Sequence, residues 1–246
     1  MTNADSFLRA FSAIEKWLRS TTGLDRSVGF YVLVDRAADR HAAVRRFRDD
    51  LKEFADLRNA IVHERGGGYV IAEPNTRAVR DLEDLETILL SPPKVIPTFQ
   101  HKVDVADHAS PLAGVVSRMS TRKFSQLPVT KDGRFVGVLT TNTIARWLGA
   151  HAADGMALLD DTPVGKVLDH AESAENYVFV SRSTTLFQIL DHFDRFESQG
   201  RALDAILITE QGKSTTAFLG IITFYDIAKI HKLLGVRRAA HTRSDA

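Results

Sequence analysis

Two groups of residues have the types and spacing that suit chemistry. The first lies in Phe218-Leu-Gly-Ile-Ile-Thr-Phe-Tyr-Asp-Ile-Ala228, where an apolar strand pattern runs through Gly220 into Thr223 and a helix pattern begins. A strand feeding a helix N-terminus presents free backbone N–H groups and the positive end of the helix dipole, an arrangement that holds phosphate. Thr223 adds a hydroxyl, and Asp226, in the first turn, can accept hydrogen bonds from a vicinal diol such as a ribose. Phosphate and ribose together point to a nucleotide. The same Thr-x-x-Asp also reads as a capping box, in which both side chains satisfy only the helix's own N–H groups. The second group is Arg58, Asn59 and His63. Asn59 and His63 are four apart and share a helix face; Arg58 lies about 100° away and reaches it through its length. These are acid-base and anion-stabilising side chains. Their structural reading is equally direct: His63 favours a helix C-terminus, while Arg58 and Asn59 tie a bundle together.

The first group has an earlier copy. Gly137-Val-Leu-Thr140-Thr-Asn-Thr143 has the same frame 83 positions upstream of its counterpart. Each follows a similar strand and turn, Leu127-Pro-Val-Thr-Lys-Asp-Gly133 in one and Ile206-Leu-Ile-Thr-Glu-Gln-Gly212 in the other. This is an internal repeat, and each copy reads strand, helix, strand, tight turn, strand, helix. Over residues 98 to 236 the sequence resembles the cystathionine beta-synthase (CBS) domain, whose repeats come in pairs and in many members bind adenine nucleotides between them. The resemblance implies a pocket in which Asp226 holds the ribose and Thr223 the phosphate. Thr98 and Ser125 offer hydroxyls there, and Val103 and Phe124 flank the base. The candidate ligands are AMP, ADP, ATP and cyclic di-AMP. The opposite pocket departs from the pattern: Thr140 is kept, Thr143 stands at the aspartate position, and Glu172 and Asp204 stand where Thr98 and Ser125 stand in the first. One working pocket is therefore expected. Lys229, His231 and Lys232 read as the basic last turn of a helix, with phosphate neutralisation as the alternative.

Arg58, Asn59 and His63 resemble the Arg-x4-His motif of HEPN domains, helical bundles that often act as metal-independent ribonucleases when two protomers pair. The resemblance covers about residues 5 to 65; Arg65 stands where some relatives have Tyr. It implies a homodimer, because one histidine per chain cannot serve as both base and acid in cleavage through a ribose 2′-hydroxyl. RNA is then the substrate and no metal is required. The other reading is a helical module for dimerisation or docking to a partner protein.

The elements must position these residues. Apolar residues at helical spacing predict helices over 5–21, 42–63 and 76–90, and Val28–Val34 is a further apolar segment. The glycines at 66–68 end the helix predicted over 42–63, and 69–72 reads as a short strand. In the repeats, 103–105 and 177–180 read as first strands, Ser110-Pro111 as a cap followed by the first helical residue, and 162–166 as connecting material. The fold class is α+β, a helical bundle followed by a pair of β-α-β-β-α repeats. Residues 1–72 are read as the helical domain, 73–97 as a linker helix and 98–236 as the pair, with repeats at about 98–150 and 172–236. Residues 237–246 are read as a flexible basic tail. The chain has 246 residues, a net charge of +1 and no cysteine, which excludes disulfides and thiolate chemistry and argues against a global nucleic-acid field. Within 1–65, 12 Lys and Arg face 10 Asp and Glu. A polar start without a signal-peptide pattern, and no run of membrane-spanning length, lead to the expectation of a cytoplasmic regulator.

Overall fold

The computed structural model describes residues 2–63, 73–152, 158–171, 176–215 and 217–234. It divides into two compact units, Met1–Pro93 and Lys94–Ala246. Arg65, the glycines at 66–68, the strand expected at 69–72, Glu172 and the expected tail at 237–246 lie outside the described residues. Among the described residues, no helix is long and apolar enough to cross a membrane.

The described part of the first unit is helical. Helix α1 (Asn3–Thr22) starts in a capping box between Thr2 and Asp5 and stops where Gly23 turns left-handed at φ 70°. Phe7, Phe11, Ile14 and Leu18, each at most 3% exposed, form its buried stripe. It packs against α2 (Phe30–Ala38), α4 (Arg48–His63) and α5 (Thr76–Leu90). Each such side chain contributes about 1.5–3 kcal/mol on burial, enough to override local propensity. The helix expected over 42–63 is broken: α3 (Ala42–Arg46) ends at Phe47, whose φ of −105° and ψ of 22° leave the helix. Phe47, 3% exposed, turns into the core there. The helix expected as a linker belongs to the first unit. Capped by Asn75, α5 buries Val79, Leu82, Leu85 and Leu89, a stripe that needs a partner. It finds one along α1, where Arg9 also bonds Glu83 at 3.0 Å and Glu86 at 3.1 Å.

The second unit opens with a short turn, α6 (Val95–Thr98), and holds two copies of one topology. The first is β1 (Ala106–Asp107), α7 (Leu112–Arg122), β2 (Gln126–Lys131), β3 (Arg134–Thr140) and α8 (Thr141–Ala152). After α9 (Val164–Leu168) the second is β4 (Tyr177–Ser181), α10 (Leu186–Ser198), β5 (Ala205–Thr209), β6 (Phe218–Ile222), a 3-10 turn (Phe224–Asp226) and α11 (Ile227–Leu233). In each sheet the first strand pairs parallel to the second and the second antiparallel to the third. The repeat extends to detail: both hairpins carry a register shift at the same place, Val129/Thr130 and Ile208/Thr209, and Gly133 and Gly212 both sit at φ 73° in the turn. Phe135 of β3 meets Tyr177 edge-on at 4.8 Å and Phe179 at 5.0 Å, which packs the two sheets together over Val138, Ala205 and Leu207.

Three local expectations are corrected. Residues 103–105 form no strand; only Ala106 and Asp107 pair with β2. Pro111 is the N-cap itself, at ψ 135°, so the helix starts one residue later. Segment 162–166 contributes to the short helix α9, because the Val164 and Gly165 N–H groups bond the Ser110 and His108 carbonyls at 3.0 and 2.9 Å and Val164 and Val167 are buried.

The segment before the first repeat crosses to the second. Val95 donates its N–H to the Thr184 carbonyl at 2.9 Å, just ahead of α10, and His101 donates to the Leu219 carbonyl of β6 at 3.0 Å, so residues 95–101 run along the second repeat and reach β6 at Phe99 and His101. Phe99 is 4% exposed there.

Candidate nucleotide site

Thr223 follows β6 in an extended conformation as the N-cap of the 3-10 turn. Its backbone N–H donates to Asp226 Oδ2 at 2.9 Å, and its hydroxyl donates to the same oxygen at 3.2 Å. The Asp226 N–H returns a bond to the Thr223 carbonyl at 2.9 Å. The capping box is therefore formed, and all its carboxylate bonds fall on one oxygen. Oδ1 has no protein partner among the described residues. Capping uses Oδ2 of Asp226 and leaves Oδ1 able to accept a further hydrogen bond, so the capping box does not exclude the ribose contact expected from the sequence.

Thr98, from the far end of the unit's sequence, is brought to the same repeat by the crossing segment. It is exposed at the end of α6, and the next residue lies flat on β6. A Cβ on Gly220 would fall 2.0 Å from the Phe99 carbonyl oxygen, so only glycine admits this approach. Lys229 Nζ stands 4.5 Å from the centre of the Phe99 ring, a cation–π contact that ties α11 to the crossing segment.

Val103, Phe124 and Ser125 come from the first repeat. Val103 is half-buried, Phe124 is 36% exposed, and Ser125 is half-buried with its carbonyl accepting the Thr141 N–H at 2.9 Å. Lys123, left-handed at φ 57°, ends α7 and turns the chain so that Phe124 N–H reaches Met119 O at 2.9 Å. No hydrogen bond among the described residues links these three to Thr223 or Asp226.

The opposite half of the pair is closed on itself. Thr140 and Thr143 are 6% and 2% exposed, and their hydroxyls bond each other at 2.9 Å while Thr143 N–H donates to Thr140 Oγ1 at 3.0 Å. Asn176, 7% exposed, donates its side-chain amide to the Asp204 carboxylate, and Gln126 Nε2 donates to the Asp204 carbonyl at 2.7 Å. Sequence reasoning did not reach Asn176 or Gln126, since Gln126 meets Asp204 only across the repeats.

In the first unit, α4 carries Arg58, Asn59 and His63. Arg58 Nη1 donates to Asn59 Oδ1 at 3.2 Å and Asn59 is exposed; His63 is the last residue of the helix, and its side chain lies outside the described set. The helix is held to α2 by Asp35, which bonds Arg48 Nε at 2.7 Å and Lys52 Nζ at 2.8 Å, and by Tyr31, whose hydroxyl bonds the Asp56 carboxylate. Arg48 and Lys52 hold the Asp35 carboxyl below the usual carboxylate range, and the bond to Asp56 raises the Tyr31 phenol. A cavity of about 470 Å³ in this unit is lined by Asp35, Arg36, Ala38, Asp39, Arg45 and Arg48, cations and anions in near balance.

Residues 99–150 match the family model of the CBS domain. The first repeat is thus a CBS domain, and the second reproduces its strand order and hairpin geometry. A search of curated proteins finds no match. Among solved structures, a conserved CBS domain protein of unknown function from Thermoplasma acidophilum is similar at 15% identity and TM-score 0.42, over 59% of this chain and 70% of that one. CbpB in complex with c-di-AMP is similar at 17% and 0.42, over 63% and 93%. A CBS domain protein from Streptococcus pneumoniae TIGR4 is similar at 19% and 0.42, over 60% and 91%.

Proposed function

We propose that the chain is an adenine-nucleotide-responsive regulator, in which the repeat pair binds one nucleotide and the helical unit carries the output. The observation that carries this reading is the crossing of residues 95–101 onto the second repeat, the repeat that carries Thr223 and Asp226, with Thr98 between the bonded ends of that segment. Asp226 Oδ1 accepts the ribose hydroxyls, Thr223 contacts phosphate, Val103 and Phe124 flank the base, and Ser125 and Thr98 supply hydroxyls. The ligand is AMP, ADP, ATP or cyclic di-AMP, the last being what the similar CbpB holds. The self-satisfied Thr140–Thr143 and Asn176–Asp204 pairs support a single working pocket. Calorimetric titration with these four compounds tests the reading. One of them binds at one nucleotide per chain; two per chain would refute the asymmetry, and none binding would refute the site.

The output is metal-independent RNA cleavage by a homodimer, with His63 of two chains as base and acid, Arg58 on the phosphorane charge and Asn59 as orienter. Positioned proton transfer supplies about 10²–10⁴ in rate, so His63→Ala should lower cleavage of a single-stranded RNA by about a hundredfold or more while leaving the circular dichroism spectrum unchanged. RNA that survives the wild-type protein, with and without nucleotide and in the presence of chelator, favours the other reading. In that reading the helical unit is a dimerisation or docking module that transmits ligand state to a partner protein. The Arg58–Asn59 bond favours it, because it is a tie between neighbouring side chains of one helix of the kind a structural role needs.

A further inference from the structure

We propose that Asp104, clamped by Arg118 and Arg122 of α7, is the positioning residue that holds Val103 at the nucleotide site; the inference rests on the nucleotide-binding reading above. The two repeats hold the same segment by different means. Ala106 pairs with Val129 and Val180 with Ile208, each just ahead of its sheet's register shift, so Val103 and Asp104 correspond to Tyr177 and Val178. In the second repeat Tyr177 and Val178 are laddered to Ala205 and Ile206. In the first, the ladder begins only at Ala106, and residues 103–105 have no strand partner. A segment without ladder bonds is free to shift, whereas a side chain that flanks a ligand base must be held to about 0.5 Å.

The clamp replaces the ladder. The Asp104 side chain is 11% exposed; its Oδ1 stands 3.4 Å from Arg118 Nε and its Oδ2 accepts from Arg122 Nη1. Arg118 Nη2 also donates to the Val105 carbonyl at 3.3 Å, so α7 grips the chain at two successive residues after Val103. Arg118 Nε is buried with no hydrogen-bond partner, on a side chain that is otherwise 36% exposed, so the nearby carboxylate is the anion that faces this atom, and removing it leaves the atom without one. Counting from Leu112 and Leu186, the first residues of α7 and α10, the positions of Arg118 and Arg122 are filled by His192 and Phe196 in the second repeat. With Val178 opposite them, no carboxylate clamp is built there.

The test pairs calorimetry against AMP, ATP and cyclic di-AMP with amide hydrogen exchange on the full chain. Asp104→Asn should weaken the bound nucleotide about tenfold at unchanged stoichiometry and speed exchange at residues 103–105, and Asp104→Glu should restore affinity to within about threefold. Arg122→Gln removes the more exposed partner and gives the same pattern at smaller amplitude if Asp104→Asn does not fold. Wild-type affinity and exchange in both Asp104→Asn and Arg122→Gln would overturn the clamp. A wild type that binds none of the three compounds would overturn the nucleotide reading, while the exchange rates still decide whether Asp104 holds the segment.

Discussion

Replacing Asp226 with alanine should at least halve the thermal stabilisation that an adenine nucleotide confers. A ligand at a hundred times its dissociation constant stabilises by about 2.7 kcal/mol, which for a chain of this size is a rise of roughly 5–11 °C in Tm. The charge-assisted bonds from the ribose to Asp226 Oδ1 contribute about 1.5–3 kcal/mol, a loss of tenfold or more in affinity. At the same ligand concentration the variant is then stabilised by about 1.4 kcal/mol or less. Asp226 also closes the capping box with Thr223, so the nucleotide-free variant should itself melt lower by the equivalent of about 0.5–2 kcal/mol. The two effects separate cleanly in a thermal scan with and without ligand. A variant that melts lower yet keeps the full ligand-induced rise would leave Asp226 as a helix cap and nothing more.

The largest loss of stability should come from Gly220→Ala. The added methyl group would lie 2.0 Å from the Phe99 carbonyl oxygen and 3.1 Å from its carbon, both backbone atoms, and 3.2 Å from Ile208 Cδ1. No rotamer change relieves a clash with backbone, so the crossing segment must lift off β6. Overpacking of this kind costs about 1–3 kcal/mol and occasionally more, and about 3 kcal/mol corresponds to a fall of roughly 6–12 °C in Tm. Because Thr98 rides on the lifted segment, nucleotide affinity should fall with it, at least tenfold. The equivalent glycine of the first repeat is an internal control. At Gly137 the new methyl meets only the Leu168 side-chain methyls, at 3.6 Å, an ordinary contact, so Gly137→Ala should stay within about 0.5 kcal/mol of wild type. Equal effects at the two glycines would mean that the crossing segment does not depend on Gly220.

Helices α1 and α5 of the first unit were legible because they carry apolar stripes at a 3.6-residue period with Asp, Asn or Gly signals at their ends. The break at Phe47 was not, because burying a large aromatic side chain outweighed helix continuity at one residue. The strand expected at 103–105 failed for a related reason: alternating apolar residues allow a ladder, but pairing depends on a neighbour at the right register. Here an aspartate between two valines found two arginines on α7 instead.

By its own residue order the sequence determined the duplicated topology, the glycines of the turns and the Thr-x-x-Asp junction, since each depends on neighbours within one turn or one hairpin. It also determined which half of the pair keeps a carboxylate at this junction, because Asp226 and Thr143 differ in chemistry whatever surrounds them. The tertiary structure decided what long-range approach alone can decide. It laid Phe99 across Gly220, joined Asn176 and Gln126 to Asp204, gave α5 to the first unit, and put both of the Thr223 bonds to Asp226 on one carboxylate oxygen, Oδ2. The physical reason is range: capping, turn and strand-helix signals act over three or four residues, whereas a close backbone approach or a cross-repeat hydrogen bond pairs groups that no local spacing relates.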